Sequence, residues 1–221
     1  MEGGFGEFIL GKKSKRNMSL VRKTPAKGVE SLHPISEETR AIIKRKTGKD
    51  YQYAYQLPKK LVLINCQDLV DVSALGGVKK LDLCGCPGIT DVSMLGGAKE
   101  LLLVRCTGIT NVSSLGGVEV LSLWGCTGVT DVSMLGGVKW LSLWGCTGIT
   151  DVSSLGGVET LFLSGCSGIT DVSKIGGVKE LYLDGCTRIT DVSMLGGVEY
   201  LDLRGCTGIT DFSMVPQAYR D

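Results

Sequence analysis

The chain of 221 residues holds one histidine, His33, and aromatic residues make up only 6% of it. So few large rings do not suit a conventional close-packed globular core. His33 precedes a proline, and no Ser/His/Asp or Cys/His arrangement can be built around it. No GxxxxGK[ST] segment is present to cradle phosphate, and the aspartates recur singly rather than as a paired acid and base. These absences point away from an enzyme. No window reaches the roughly 18 consecutive apolar residues that a membrane span needs. Met1 to Arg16 carries only a short apolar run with its charges after it, which does not fit a secretory leader. The expectation is a protein without membrane contact that stays in a reducing compartment, cytoplasmic or nuclear.

What is abundant is glycine, 32 residues, and it recurs in register. From Leu61 the sequence repeats every 20 residues without insertion or deletion, on the consensus LxLxGCxGITDVSxLGGVxx. Eight copies begin at Leu61, Leu81, Leu101, Leu121, Leu141, Leu161, Leu181 and Leu201. In LxLx the two leucines alternate with variable residues, the period of a short strand with one buried face and the other free to vary. Further on, Ile89, Val92, Leu95 and Ala98 place an apolar residue at every third position, which suits tight turns or 3₁₀ structure. A 20-residue repeat leaves no room there for a full α-helix. The Gly96–Gly97 pair allows positive φ and a sharp return to the next strand. Thr90, Asp91 and Ser93 fit local side-chain caps of these turns, whereas a lone repeated aspartate is a poor calcium cage.

The repeat resembles a leucine-rich repeat, whose pattern LxxLxLxxN/CxL is written here as Val78, Leu81, Leu83, Cys86 and Ile89. It departs in one place, since Ile89 stands three positions after the cysteine rather than two. The C-x-x-I-T-D spacing is similar to the cysteine-containing class, and ITDVSxL also resembles the internalin-like class. Repeats of this GC type look like those in predicted proteins of large DNA viruses and some protists. The resemblance covers residues 61–215 and implies an α/β solenoid, mostly β plus turns. In that fold a concave parallel sheet faces convex 3₁₀ or irregular turns. The resemblance names no partner.

The first 60 residues do not repeat. Residues 1–30, rich in Gly, Lys and Ser, have the composition of a flexible tail, and residues 31–60 read as an N-terminal cap with one helix ahead of the array 61–221. Ser36 as N-cap, Glu37 and Glu38 in a first turn, Lys44, Arg45 and Lys46 in a last turn, and Gly48 as a stop define that helix. Its Ile42 and Ile43, with Leu32 and Ile35 before it, are placed to cover the first repeat. Residues 1–60 hold 14 Lys+Arg against 6 Asp+Glu, and the remainder 10 against 17, so a basic head precedes a mildly acidic body. Lys12, Lys13, Lys15 and Arg16, then Arg22 and Lys23, form a basic arm. It reads as a nuclear-import signal, as an anchor on nucleic acid or an acidic surface, or as a solvated tail.

Of nine cysteines, eight occupy one repeat position, Cys66 through Cys206, and form a ladder of free thiols packed as small hydrophobes. Neighbouring rungs of a parallel sheet lie about 4.8 Å apart with side chains parallel, not converging for disulfides. Cys84 falls on the outward face, and one CxC without histidine partners is a weak zinc signal. No metal or cofactor is expected.

The outward positions carry the functional signal. Of eight aromatic residues after position 60, six lie there: Trp124, Trp140, Trp144, Phe162, Tyr182 and Tyr200. The buried positions use Leu, Val, Ile and Cys, so core packing does not account for those rings. With Leu102, Val104 and Val120 they make an apolar strip of the kind that anchors protein partners. The plain alternative is drift within a duplicated array whose rings cover one another. The expected function is a non-catalytic scaffold that binds a protein on its concave face, with the basic arm as second attachment. Its rival is a structural component of a large assembly such as a viral particle, the arm docking on neighbouring subunits or nucleic acid. A ubiquitin-ligase adaptor ranks lower, because residues 1–60 contain no F-box pattern. At the C-terminal edge Phe212 and Val215 replace the consensus and Gly-Gly is lost, which marks a site for self-association or for a minimal lid by Pro216 and Tyr219.

Overall fold

Residues 33–215 are described by the computed structural model; the basic arm, Leu32, Pro216 and Tyr219 lie outside them. Each repeat contributes one short strand at its LxL segment. In order these are β1 (Lys60–Val62), β2 (Lys80–Asp82), β3 (Glu100–Leu102), β4 (Val120–Ser122), β5 (Trp140–Ser142), β6 (Thr160–Phe162), β7 (Glu180–Tyr182) and β8 (Tyr200–Asp202). They pair in sequence order into one parallel eight-stranded sheet. The register advances by one repeat per strand, Leu121 opposite Leu141 and Leu141 opposite Leu161. Backbone bonding continues past the strands: Leu123 N–H donates to Ser142 O at 2.8 Å and Gly125 N–H to Trp144 O at 2.8 Å.

The core is a stack of identical layers. In the fifth coil Leu141, Leu143, Cys146, Ile149, Val152, Leu155 and Val158 are all buried, none more than 1% exposed. Their three-residue spacing matches the 3₁₀ turns seen opposite the sheet, at Ser93–Gly97, Ser113–Gly117 and Ser153–Gly157 among others. Each such turn is capped as its sequence suggests. Asp151 Oδ1 accepts the Ser153 N–H at 2.8 Å, and Asn111 does the same for Ser113 at 3.0 Å in the one copy that lacks the aspartate.

The Gly-Gly pair works differently from expectation. Gly136 sits in ordinary right-handed geometry, φ −62° and ψ −12°. What excludes a side chain is the next coil, because a Cβ on Gly136 would stand 2.3 Å from Ser154 O, and one on Gly96 2.1 Å from Ser114 O. The positive φ belongs instead to the residue before each ladder cysteine, a glycine in six coils, for example 71° at Gly125 and 69° at Gly145. There the chain leaves the strand and turns inward.

The helix α1 (Glu37–Thr47) has the anticipated ends: the Ser36 side chain accepts from Thr39 N–H, and Gly48 is left-handed with its N–H donating to Lys44 O. Ile42 and Ile43, 3% and 0% exposed, join the same core as the first coil. Burying one such side chain contributes about 1.5 to 3 kcal/mol. Thr39 Oγ1 donates to Asp71 O at 2.7 Å, Lys46 Nζ to Ile64 O at 2.8 Å, and Arg45 pairs with Asp68 at 2.9 Å. The helix thus closes the end of the array that has no preceding coil.

Candidate binding face

The two chemically distinct columns are the thiols inside and the rings outside. From Cys86 onward each ladder thiol donates to a leucine carbonyl of the preceding coil: Cys126 Sγ to Leu103 O, Cys146 Sγ to Leu123 O and Cys166 Sγ to Leu143 O, all at 3.1 Å. The thiol is small enough for the layer and satisfies a buried acceptor. Burial pushes Cys146 and Cys206 up to about 11 and Cys126 and Cys186 up to about 12. Cys84, half-buried on the outward face, is raised to about 12 by desolvation and by its bond with Asp82. Such thiols hold their protons at neutral pH and are poor nucleophiles. Among the described residues no group of three or more His, Cys, Asp or Glu is placed to hold a metal ion.

On the concave face the strands carry the outward residues in register. Trp124 and Trp144, one coil apart, stack with centroids 4.9 Å apart at 14°. A second series steps from the column of Trp140 to that of Phe162 and Tyr182 and returns at Tyr200. Trp140 meets Phe162 at 5.1 Å, Phe162 stacks on Tyr182 at 4.2 Å and 8°, and Tyr182 meets Tyr200 at 5.0 Å. All six rings singled out from the sequence therefore touch another ring, in two separate series. Each parallel pair adds about 0.5 to 1.5 kcal/mol beyond its area. They nevertheless keep open surface: Trp124 is 38% exposed, and Trp144 and Tyr200 are each 46%. Leu102, Val104, Val120, Trp140, Phe162 and Tyr182 are half-buried.

Two features were not legible beforehand. Ser122 and Ser142, on the outward face, are 5% and 6% exposed. That face is therefore not uniformly free, because short side chains on the inner side of an arc sink below bulky neighbours. The other feature is Arg105, which stands where six coils have glycine and places its guanidinium carbon 5.7 Å from the centre of the Trp124 ring. Its departure from the consensus was the available signal. At the far end Val215 is buried and Phe212 is half-buried against the core. No helix among the described residues is long and apolar enough to cross a membrane.

No protein-family model and no curated protein matches the sequence. Among solved structures the chain is similar to internalin C2 of Listeria monocytogenes, with 21% identity and a TM-score of 0.59 over 86% of this chain and 95% of that one. It is also similar to the leucine-rich repeat domain of the type III effector XopL, at 15% identity and a TM-score of 0.48, over 83% of this chain and 88% of that one. A further similar structure is the functional domain of InlJ from Listeria monocytogenes, which includes a cysteine ladder. Its identity is 19% and its TM-score 0.40, over 71% of this chain and 42% of that one. With the internalin C2 match and the parallel sheet together, the fold is that of a leucine-rich-repeat solenoid arc.

Proposed function

We propose that this protein is a non-catalytic scaffold that binds a protein partner on the aromatic strip of its concave face. One observation carries the reading. Six rings are collected on the outward side of the sheet and three of them are at least 38% exposed, although the core is built without any. Exposed tryptophan and tyrosine are costly to leave in water and are the residues that most often dominate interfaces. A stacked sheet with its rings already ordered loses little entropy on docking, and solenoids commonly bind along the concave side. The basic arm, Lys12, Lys13, Lys15, Arg16, Arg22 and Lys23, supplies a second attachment whose contribution falls with added salt. The test is affinity purification from the native source with the full chain and with a variant carrying Trp124→Ser, Trp140→Ser and Trp144→Ser. A partner held by the full chain and released by the variant, with circular dichroism unchanged, supports the reading. The same partner held equally by both refutes it.

A further inference from the structure

Position five of each coil lies in the left-handed region, with φ between 69° and 73° at six glycines, 55° at Asn65 and 57° at Arg105. Asparagine tolerates this geometry, whereas a long side chain is strained there. Arg105 is thus the one long residue in a slot where its neighbours are glycine, and the pairing of β3 with β4 and of β4 with β5 keeps the same register around it. Its stem lies over Gly125, where an added Cβ would stand 3.3 Å from Arg105 Cγ, and its guanidinium reaches the Trp124 ring. The side chain is exposed and, among the described residues, makes no ion pair or side-chain hydrogen bond. The outward rows of coils three to six hold one other charge, Glu100, and that carboxylate is paired with Lys80. A strained, unpaired cation therefore borders the stacked tryptophans.

We propose that Arg105 is a specificity residue of this face, receiving an aspartate or glutamate side chain of the protein partner while an adjacent apolar residue of that partner covers Trp124 and Trp144. The inference rests on the concave face being the docking surface. A guanidinium offers a fixed fork of donors that matches a carboxylate in two bonds, and the ring beneath holds it in place. Charge sets the orientation. Glu180 and Asp184 lie on the outward rows toward the other end of the arc, so an acidic residue is favoured at Arg105 and repelled there. The body from residue 61 onward carries 10 Lys+Arg against 17 Asp+Glu, which disfavours nucleic acid as the occupant.

The probe is a displayed library of random linear peptides selected against the full chain, against Arg105→Gly, and against the Trp124→Ser, Trp144→Ser variant. The native chain should enrich peptides with Asp or Glu beside an aromatic or aliphatic residue. Arg105→Gly should bind them about tenfold more weakly, the loss expected for one charged hydrogen-bonded contact, and with less dependence on salt. Its melting temperature should be unchanged or higher, because glycine relieves the left-handed strain; a marked fall would assign Arg105 a structural role instead. Peptides lost with the tryptophans but equally well bound by Arg105→Gly overturn the specificity claim and leave the docking face standing. Peptides indifferent to both sets of changes, or a library that yields no binder, count against both.

Discussion

Two glycines nine residues apart give the sharpest test of the fold. Gly136 has unstrained right-handed backbone, so alanine there meets no conformational penalty and would by itself stabilise the chain by about 0.4 to 1 kcal/mol through the unfolded state. Against that stands Ser154 O, 2.3 Å from the new Cβ and fully 1 Å inside an ordinary contact distance. The carbonyl belongs to the next coil, whose strand is in register with its neighbours and cannot retreat alone. Overpacking of this kind costs about 3 kcal/mol. Gly145 presents the opposite case, with φ at 69° but only Trp124 Cδ1 nearby, 4.0 Å away. Left-handed strain of about 1 to 2 kcal/mol, offset by the same entropy gain, leaves a net loss of about 1 kcal/mol. Gly136→Ala should therefore be the worse by about 1 to 2 kcal/mol. Equilibrium unfolding in urea, read by circular dichroism, should place its midpoint lower by up to about 1 M for a slope of about 2 kcal/mol/M. A midpoint for Gly145→Ala equal to or below that of Gly136→Ala would refute the assignment of the two glycine types.

Three further outcomes follow from the packing and the titrating groups. Leu143→Ala removes a side chain with no exposure in a central layer and should cost about 2 to 5 kcal/mol, while Ser142→Ala, although buried, should cost less than about 1; equal shifts in the unfolding midpoint would mean the strand faces are reversed. Alkylation should label no ladder thiol from Cys86 onward in the native chain at pH 8, where burial keeps them protonated, and all nine cysteines in denaturant without reductant; a smaller number, counted by intact mass, contradicts the free ladder. The Asp91, Asp131, Asp151, Asp171 and Asp191 carboxyls are held below their ordinary value by accepting a serine N–H. Their contribution is present above the unfolded value of about 3.9 and is lost as pH falls through the lower folded values. Melts between pH 7 and 2 should thus fall only below about pH 4, and Asp151→Asn, which keeps the acceptor as Asn111 does, should lessen that fall.

Strand, turn and cap could be read from the sequence because each is determined within a few residues: LxL alternation for the sheet, the three-residue spacing for the turns, Ser36 and Gly48 for the ends of α1. The role of the first glycine of the Gly-Gly pair could not, since its constraint comes from a carbonyl one coil away. A clue was nevertheless present. The slot before the cysteine admits Asn65 and Arg105, as torsional strain allows at a cost, whereas the first glycine of the pair is kept from Gly76 to Gly196, as a main-chain clash requires. The rings of the candidate face were legible by elimination, because the core already had its full complement of Leu, Val, Ile and Cys. Their division into two series was not, because it depends on which ring leans toward which coil. The burial of Ser122 and Ser142 depends on neighbours in the same way.

The concave face is tested most directly by radical footprinting of the full chain, alone and in complex with the partner it retains from the native source. Trp124, Trp144 and Tyr200 report the concave side, and Met94, Met134 and Met194, between 58% and 62% exposed on the turns opposite the sheet, serve as an oxidisable control on the same molecule. Protection confined to the three rings, with the methionines oxidised as in the free chain, is the predicted result. Protection of the methionines with the rings left open would contradict a concave docking face.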